Sequence, residues 1–492
     1  MTEYSPVEAT IAELGQAMAS GQVTSEQLVQ IYMARIAAHD QAGIKLNSVL
    51  EINPDALFIA AAMDRERKLA GPRGPLHGIP VLIKDNIDTG DKMHTSAGSL
   101  ALAESYAPRD SYVAAALRRA GAVILGKANM TEWANFMTIG MPSGYSSRGG
   151  QVLNPYLPES LSPSGSSAGS GVAVAASLCT VAVGTETSGS ILSPSNNNSI
   201  VGIRPTVGLI SRTGIIPIAF SQDTAGPMAR TVADAAILLG ALVGADPADP
   251  ATAISAGHAH RDYTRFLDKN GLKGARIGIP RGPWFKRLHG DDGDRSQTDE
   301  LKLFNEAVRV IQGLGAEIVD PADLAYMEYW DSSVLTYEFK PALNSYLAAL
   351  GPSAPVRTMK EIVAFNAANP EAMLRYGQKL MAESEETSGN LTEPKYLEDR
   401  LRDIRQTRSE GIDRTLAEHK LDALLFPSTW GCWIPARAGY PSIQVPAGYT
   451  GDGRPFGITL TGTAWSEPTL IKLAYAYEQA TRHRKPPNLD RA

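Results

Sequence analysis

GIPVLIKDN, residues 78–86, sets a short apolar run between a glycine and a polar turn, with a lysine at its end. That pattern belongs to a buried strand, and the spacing predicts one that stops at Lys84. Moving outward, Asp110 stands where it can cap a helix through Arg119, Gly121 halts that helix, and Ala122-Val-Ile-Leu125 reads as the next buried strand. Strand, helix and strand imply an α/β fold, a mixed or parallel sheet covered by helices. Upstream, Thr24-Ser-Glu-Gln27 forms a capping box, after which Leu28, Ile31, Tyr32 and Ile36 recur at helical spacing. Downstream, Gly171 to Ala176 suits a small-residue helix lying close on a sheet, and Thr180 to Val183 a strand. Further strands are expected at 275–279, 423–426, 442–445 and 458–461, and a helix over 467–481 behind the cap candidate Ser466. The polar stretches 246–260, 287–299 and 384–394 read as surface loops. No internal repeat is visible.

The 492 residues are 43% apolar, without a low-complexity break, and read as one domain over 1–492 with a large core. With 46 basic and 52 acidic residues intermixed, a net charge of −6 and no basic block, nucleic acid is not expected as a ligand. The N-terminal MTEYSPVEATIAELGQ is acidic and lacks a continuous apolar stretch, so neither a signal peptide nor a membrane span is expected and a cytoplasmic location follows. Cys179 and Cys432 form no C-x-x-C pair, and none of the eight histidines is followed by Glu, so neither a redox dithiol nor a metal site is expected.

Several motifs compete for the chemistry. Gly121 to Lys127 nearly spells a phosphate-binding loop, but Ala128 replaces the required Ser or Thr, and the segment reads as a strand with a turn. Gly165-Ser-Ser167-Ala-Gly169 matches the G-x-S-x-G elbow, which needs a strand leading into the serine; Pro158 to Ser164 is loop-like instead. Serine nucleophiles also work with a neutral lysine as base, and Lys84, desolvated at the end of an apolar strand, suits that role or else reaches out to water. After the strand ending near Val183, Gly184-Thr-Glu-Thr-Ser-Gly-Ser-Ile191 is a second small-residue loop whose amides can face a substrate.

Taken together, residues 78–86, 164–170 and 184–191 resemble the amidase signature family, most closely its bacterial peptide amidases. The likeness continues through Gly202 to Leu209, Gln222 to Pro227, Ala438 to Pro446 and Pro455 to Thr459, nearly the whole chain, with a signature core at about 75–235. The resemblance implies a single α/β domain with a mixed sheet between helical layers, and a Ser-Ser-Lys triad. In this numbering it implies Lys84 as base, Ser166 as a middle serine after a cis peptide, and Ser190 as nucleophile. It also implies an oxyanion hole from the N–H groups of Thr187, Ser188, Gly189 and Ser190, and hydrolysis of an amide without a cofactor; a monomer or homodimer is expected. Ser167 then has no catalytic part.

The text departs from the family's at several places. Ser164 replaces a glycine before Gly165, Ala168 another, Glu186 an aspartate, Ser188 a glycine and Leu192 an arginine; Ser195 with Asn196, Asn197 and Asn198 replaces an apolar segment. Thr95 to Leu102, Glu132 to Phe136 and Ser147 to Gly150 carry the likeness to enzymes that remove a C-terminal carboxamide as ammonia. Trp430, Cys432 and Trp433, and the stretch from Phe136 to Tyr145, are candidate pocket walls. Competing expectations are the amidase subunit of a transfer-RNA-dependent amidotransferase, a broad acylamidase or esterase, and a binding protein that keeps the fold.

Overall fold

The computed structural model describes residues 4–282, 285, 295–326, 333–352 and 354–490. Eleven strands form one sheet: β1 Val49–Ile52, β2 Pro80–Lys84, β3 Val123–Ala128, β4 Val181–Glu186, β5 Val201–Arg204, β6 Thr224–Ala229, β7 Arg276–Gly278, β8 Glu317–Val319, β9 Ala423–Pro427, β10 Ser442–Tyr449 and β11 Pro455–Thr461. Their order is β1-β3-β2-β4-β6-β5-β10-β11-β9-β7-β8. β3, β2 and β4 are mutually parallel at one end and β9, β7 and β8 at the other, with antiparallel pairings between. The expected mixed sheet between helical layers is therefore present.

Alternation along β2 explains how both layers are held. Val81 and Ile83 join one apolar cluster, with the helices Tyr112–Arg119, Val232–Leu242 and Glu467–Thr481, whereas Leu82 joins the opposite one, with the helix Ala168–Ala175. A strand buried on both faces reads as a continuous apolar run, as 79–83 does. Thr24 accepts from Gln27 N and the Gln27 side chain accepts from Thr24 N, completing the expected capping box.

Three local expectations need correction. Ser111, not Asp110, caps the helix Tyr112–Arg119, accepting from Ala114 N; the Asp110 carboxylate instead takes Gly90 N and Arg118 Nε. Ser466 sits at the cap position of the helix Glu467–Thr481 but gives no side-chain cap, because its hydroxyl donates to Thr463 O. Of the expected loop 287–299, residues 287–294 lie outside the described residues, and 295–299 open the helix Arg295–Gly313. That helix buries Phe304, Ala307 and Ile311 at helical spacing, a period its polar first turn does not announce. Among the described residues, no helix is long and apolar enough to cross a membrane.

Candidate active site

Lys84 is the last residue of β2, fully buried at the carboxyl end of the parallel segment, where α/β sheets commonly place ligands. Its Nζ donates to Ser166 Oγ at 2.7 Å, Thr185 Oγ1 at 2.9 Å and Thr185 O at 3.1 Å. Burial pulls its pKa down to about 7, although Glu186 and Asp223 favour the charged form. A lysine in this state can accept a proton near neutral pH.

Ser166 comes from the loop that leads into the helix Ala168–Ala175, which starts three residues before the expected Gly171. The Gly165–Ser166 peptide is cis, as the resemblance implies. Gly165 is required by a close approach: a Cβ there would lie 2.4 Å from Thr131 Oγ1. Thr131 N donates to Ser166 O at 3.0 Å. The unusual asparagines anchor the same loop, since Asn197 Nδ2 donates to Ser162 O and Asn198 Nδ2 to Pro163 O. Ser167, the centre of the elbow-like motif, donates its hydroxyl to Thr185 O and accepts from Thr185 N, which fastens the loop to β4.

Ser190 is brought beside this pair by the backbone, its carbonyl accepting from Ser167 N at 3.2 Å. Among the described residues, no hydrogen bond joins Ser166 Oγ to Ser190 Oγ. In the loop from Thr187 to Ser190, Gly189 adopts φ +81°, and a Cβ there would meet Cys432 Sγ at 3.0 Å. The N–H groups of Ser188, Gly189 and Ser190 have no protein acceptor among the described residues. Those of the next two residues, Ile191 and Leu192, are both taken by Glu186 Oε2, at 2.6 and 3.0 Å. Unclaimed amides beside a hydroxyl are what an oxyanion needs.

Two groups to which the motifs assign no role, the buried Arg204 and the half-buried Asp223, hold this loop. Arg204 donates to the carbonyls of Glu186, Thr187 and Gln222, at 3.2, 3.1 and 2.7 Å, and lies 3.6 Å from the Glu186 carboxylate. Asp223 accepts from Thr187 Oγ1 at 2.6 Å and from the N–H groups of Ile218 and Ala219. Both lie in stretches already notable for the family likeness, 202–209 and 222–227, yet nothing in their spacing assigns them this clamp.

A cavity of about 470 Å³ is walled by Asn86, Thr185, Thr187, Ile216, Phe220 and Tyr346 among others; it meets the Lys84 partner Thr185, not the side chains of Lys84, Ser166 or Ser190. This volume lies in the range of small-molecule sites. None of the candidate walls lines this cavity: Phe136 packs on Phe339 and Tyr145 on Tyr376, and only Ala134, two residues before Phe136, reaches it. Cys432 abuts Gly189, and Trp433 packs in the apolar cluster around Phe426 and Ile434. Among the described residues, no cluster of His, Cys, Asp and Glu is arranged to hold a metal.

A family model described as amidase matches residues 27–433. The chain belongs to the amidase family. This amidase is 47% identical to the peptide amidase of Stenotrophomonas maltophilia, whose crystal structure superposes with a TM-score of 0.92 over 99% of both chains. It is 41% identical to a probable amidase of Arabidopsis thaliana, over 98% of this chain and 92% of that one. It is also 31% identical to a glutamyl-tRNA(Gln) amidotransferase subunit of Halorhodospira halophila, over 97% and 98% of the two chains. The amidase is an amidohydrolase of the signature family, with the fold that the resemblance implied.

Proposed function

We propose that the amidase hydrolyses a C-terminal peptide amide, RCONH2 + H2O giving RCOO⁻ + NH4⁺, through Lys84, Ser166 and Ser190. Ser190 Oγ bonds to the carbonyl carbon while its proton passes to Ser166 Oγ and the Ser166 proton passes to neutral Lys84 Nζ. The N–H groups of Thr187, Ser188, Gly189 and Ser190 take the oxyanion. Collapse breaks the C–N bond, the nitrogen receives the proton back from Lys84 through Ser166, and ammonia leaves. Water then attacks the Ser190 ester with the same base, releasing the acid and restoring the hydroxyl.

The observation that carries this reading is the 2.7 Å contact between Lys84 Nζ and Ser166 Oγ, made by a fully buried lysine with a pKa near 7. The peptide-amide substrate is supported by the 47% identity with the peptide amidase over 99% of both chains.

The purified chain, with no second subunit, is expected to release ammonia from a peptide amide. Ser190→Ala is expected to reduce turnover on the order of 10⁴-fold or more and to abolish labelling by a fluorophosphonate. Substantial turnover in that variant overturns the assignment of the nucleophile. Ammonia release only with an added partner favours the amidotransferase reading, and turnover confined to anilides or esters removes the peptide-amide substrate.

A further inference from the structure

The hydrogen bonds around Lys84 can be counted for both protonation states. An ammonium has three protons and no acceptor capacity, and Ser166 Oγ, Thr185 Oγ1 and Thr185 O, at 2.7, 2.9 and 3.1 Å, satisfy all three. A neutral amine has two protons and one lone pair, so one of those partners must reverse and donate. The carbonyl of Thr185 cannot. Its hydroxyl oxygen accepts from Asn86 Nδ2 at 3.0 Å, and while its second lone pair accepts from Lys84 its own proton is directed away from Nζ. Asn86 is itself buried and held by a second bond to Ile216 O at 3.3 Å. With Thr185 in that orientation, Ser166, the shortest of the three contacts at 2.7 Å, is the partner that donates.

We propose that Thr185, with one lone pair filled by Asn86 and the other turned to Lys84, is a positioning residue that aims the lone pair of neutral Lys84 at the Ser166 hydroxyl. The assignment rests on the triad reading above. In the step it serves, the Ser166 O–H bond breaks as the new N–H bond forms on Lys84, and the Ser190 proton replaces the one lost. The ionisable groups acting on Lys84 are Glu186 on β4 and Asp223 just before β6. Asp85, which follows Lys84 just past the end of β2, is occupied by Ser96 Oγ, Gly98 N and Arg148. All of these are untouched by a change at position 185.

The test compares Thr185→Val and Thr185→Ser with Lys84→Ala, each checked for folding by circular dichroism. Thr185→Val is expected to lower kcat about 10- to 100-fold, a fraction of what general-base transfer contributes, with KM changed by less than about twofold. It is also expected to move the acid limb of the kcat/KM profile to lower pH, because the ammonium loses an acceptor and its pKa falls. Thr185→Ser is expected to restore both quantities. A packing role alone leaves the acid limb where it was. If the valine variant fails to fold, Thr185→Ala removes the same oxygen and is read in the same way. A dead Lys84→Ala enzyme beside a Thr185 variant with unchanged kcat and acid limb overturns this inference and leaves the triad standing. Turnover retained in Lys84→Ala overturns both.

Discussion

Lys84 ends β2, and Lys127 lies one residue from the end of β3 on the neighbouring parallel strand; both are fully buried. Lys127 is in register with Ile83, and Lys84 with Ala128, so the two side chains leave opposite faces of the sheet. Burial lowers the pKa of each. Their surroundings differ. Lys127 donates to Ile87 O and Thr95 Oγ1 and feels four carboxylates, Asp85, Asp88, Asp91 and Glu51, that favour its charged form. Lys84 feels two, and its partners are two hydroxyls and a carbonyl. At equal burial the two lysines thus differ in their neighbours, with four carboxylates favouring the charged form of Lys127 and two that of Lys84.

Replacing each lysine by methionine separates the two roles most sharply. Lys84→Met is expected to reduce kcat by roughly 10³-fold or more while the protein stays folded. Its wild-type lysine binds fewer protons folded than unfolded between about pH 7 and the ordinary lysine value. Lys84 therefore opposes folding most below pH 7, and that opposition fades as pH rises. Thermal denaturation of this variant at pH 6 is expected to show no loss of stability. Lys127→Met removes the cation facing Asp85 and Asp88, and breaking a buried charge arrangement by removing one partner typically costs about 3–5 kcal/mol. Urea denaturation is expected to show that loss, with kcat changed far less than in Lys84→Met. Equal effects on activity from the two substitutions break the contrast.

What could be read in the sequence divides along the same physical line. The strand ending at Lys84, the capping box at Thr24 and the helix Glu467–Thr481 follow from local period and punctuation, which a window of a few residues contains. β6, with Gly226 and Pro227 at its middle, has poor strand propensity. It forms because β4 and β5 pair with it, and a Cβ at Gly226 would lie 2.1 Å from Ile203 O. Asp110 and Ser111 are both good caps, and tertiary contacts of Asp110 with Gly90 and Arg118 decide between them. In the site, Lys84 is legible as a charged residue closing an apolar strand, and Ser166 and Ser190 through the family likeness. Arg204 acts through the backbone carbonyls of Glu186 and Gln222, each 18 residues away, and Asp223 through the Thr187 hydroxyl, 36 residues away. Thr185 acts through a lysine on another strand, and neither kind of contact leaves a local pattern.

The two adjacent serines repeat the lysine comparison on a smaller scale. Ser166 meets Lys84, whereas Ser167 exchanges hydrogen bonds with the Thr185 backbone. Ser167→Ala is expected to lower stability by about 1 kcal/mol, the usual worth of such a bond, and to leave the pH profile of kcat/KM in place. A shift of that profile would mean that Ser167 shares the proton path.

The pH dependence of kcat/KM for a peptide amide tests the central claim most directly. Its acid limb reports the base of the free enzyme. With Lys84 titrating at about 7, activity is expected to climb as pH rises through neutrality and then level off once the lysine is neutral. A profile flat from about pH 5 to 9 would contradict the assignment of Lys84 as the base.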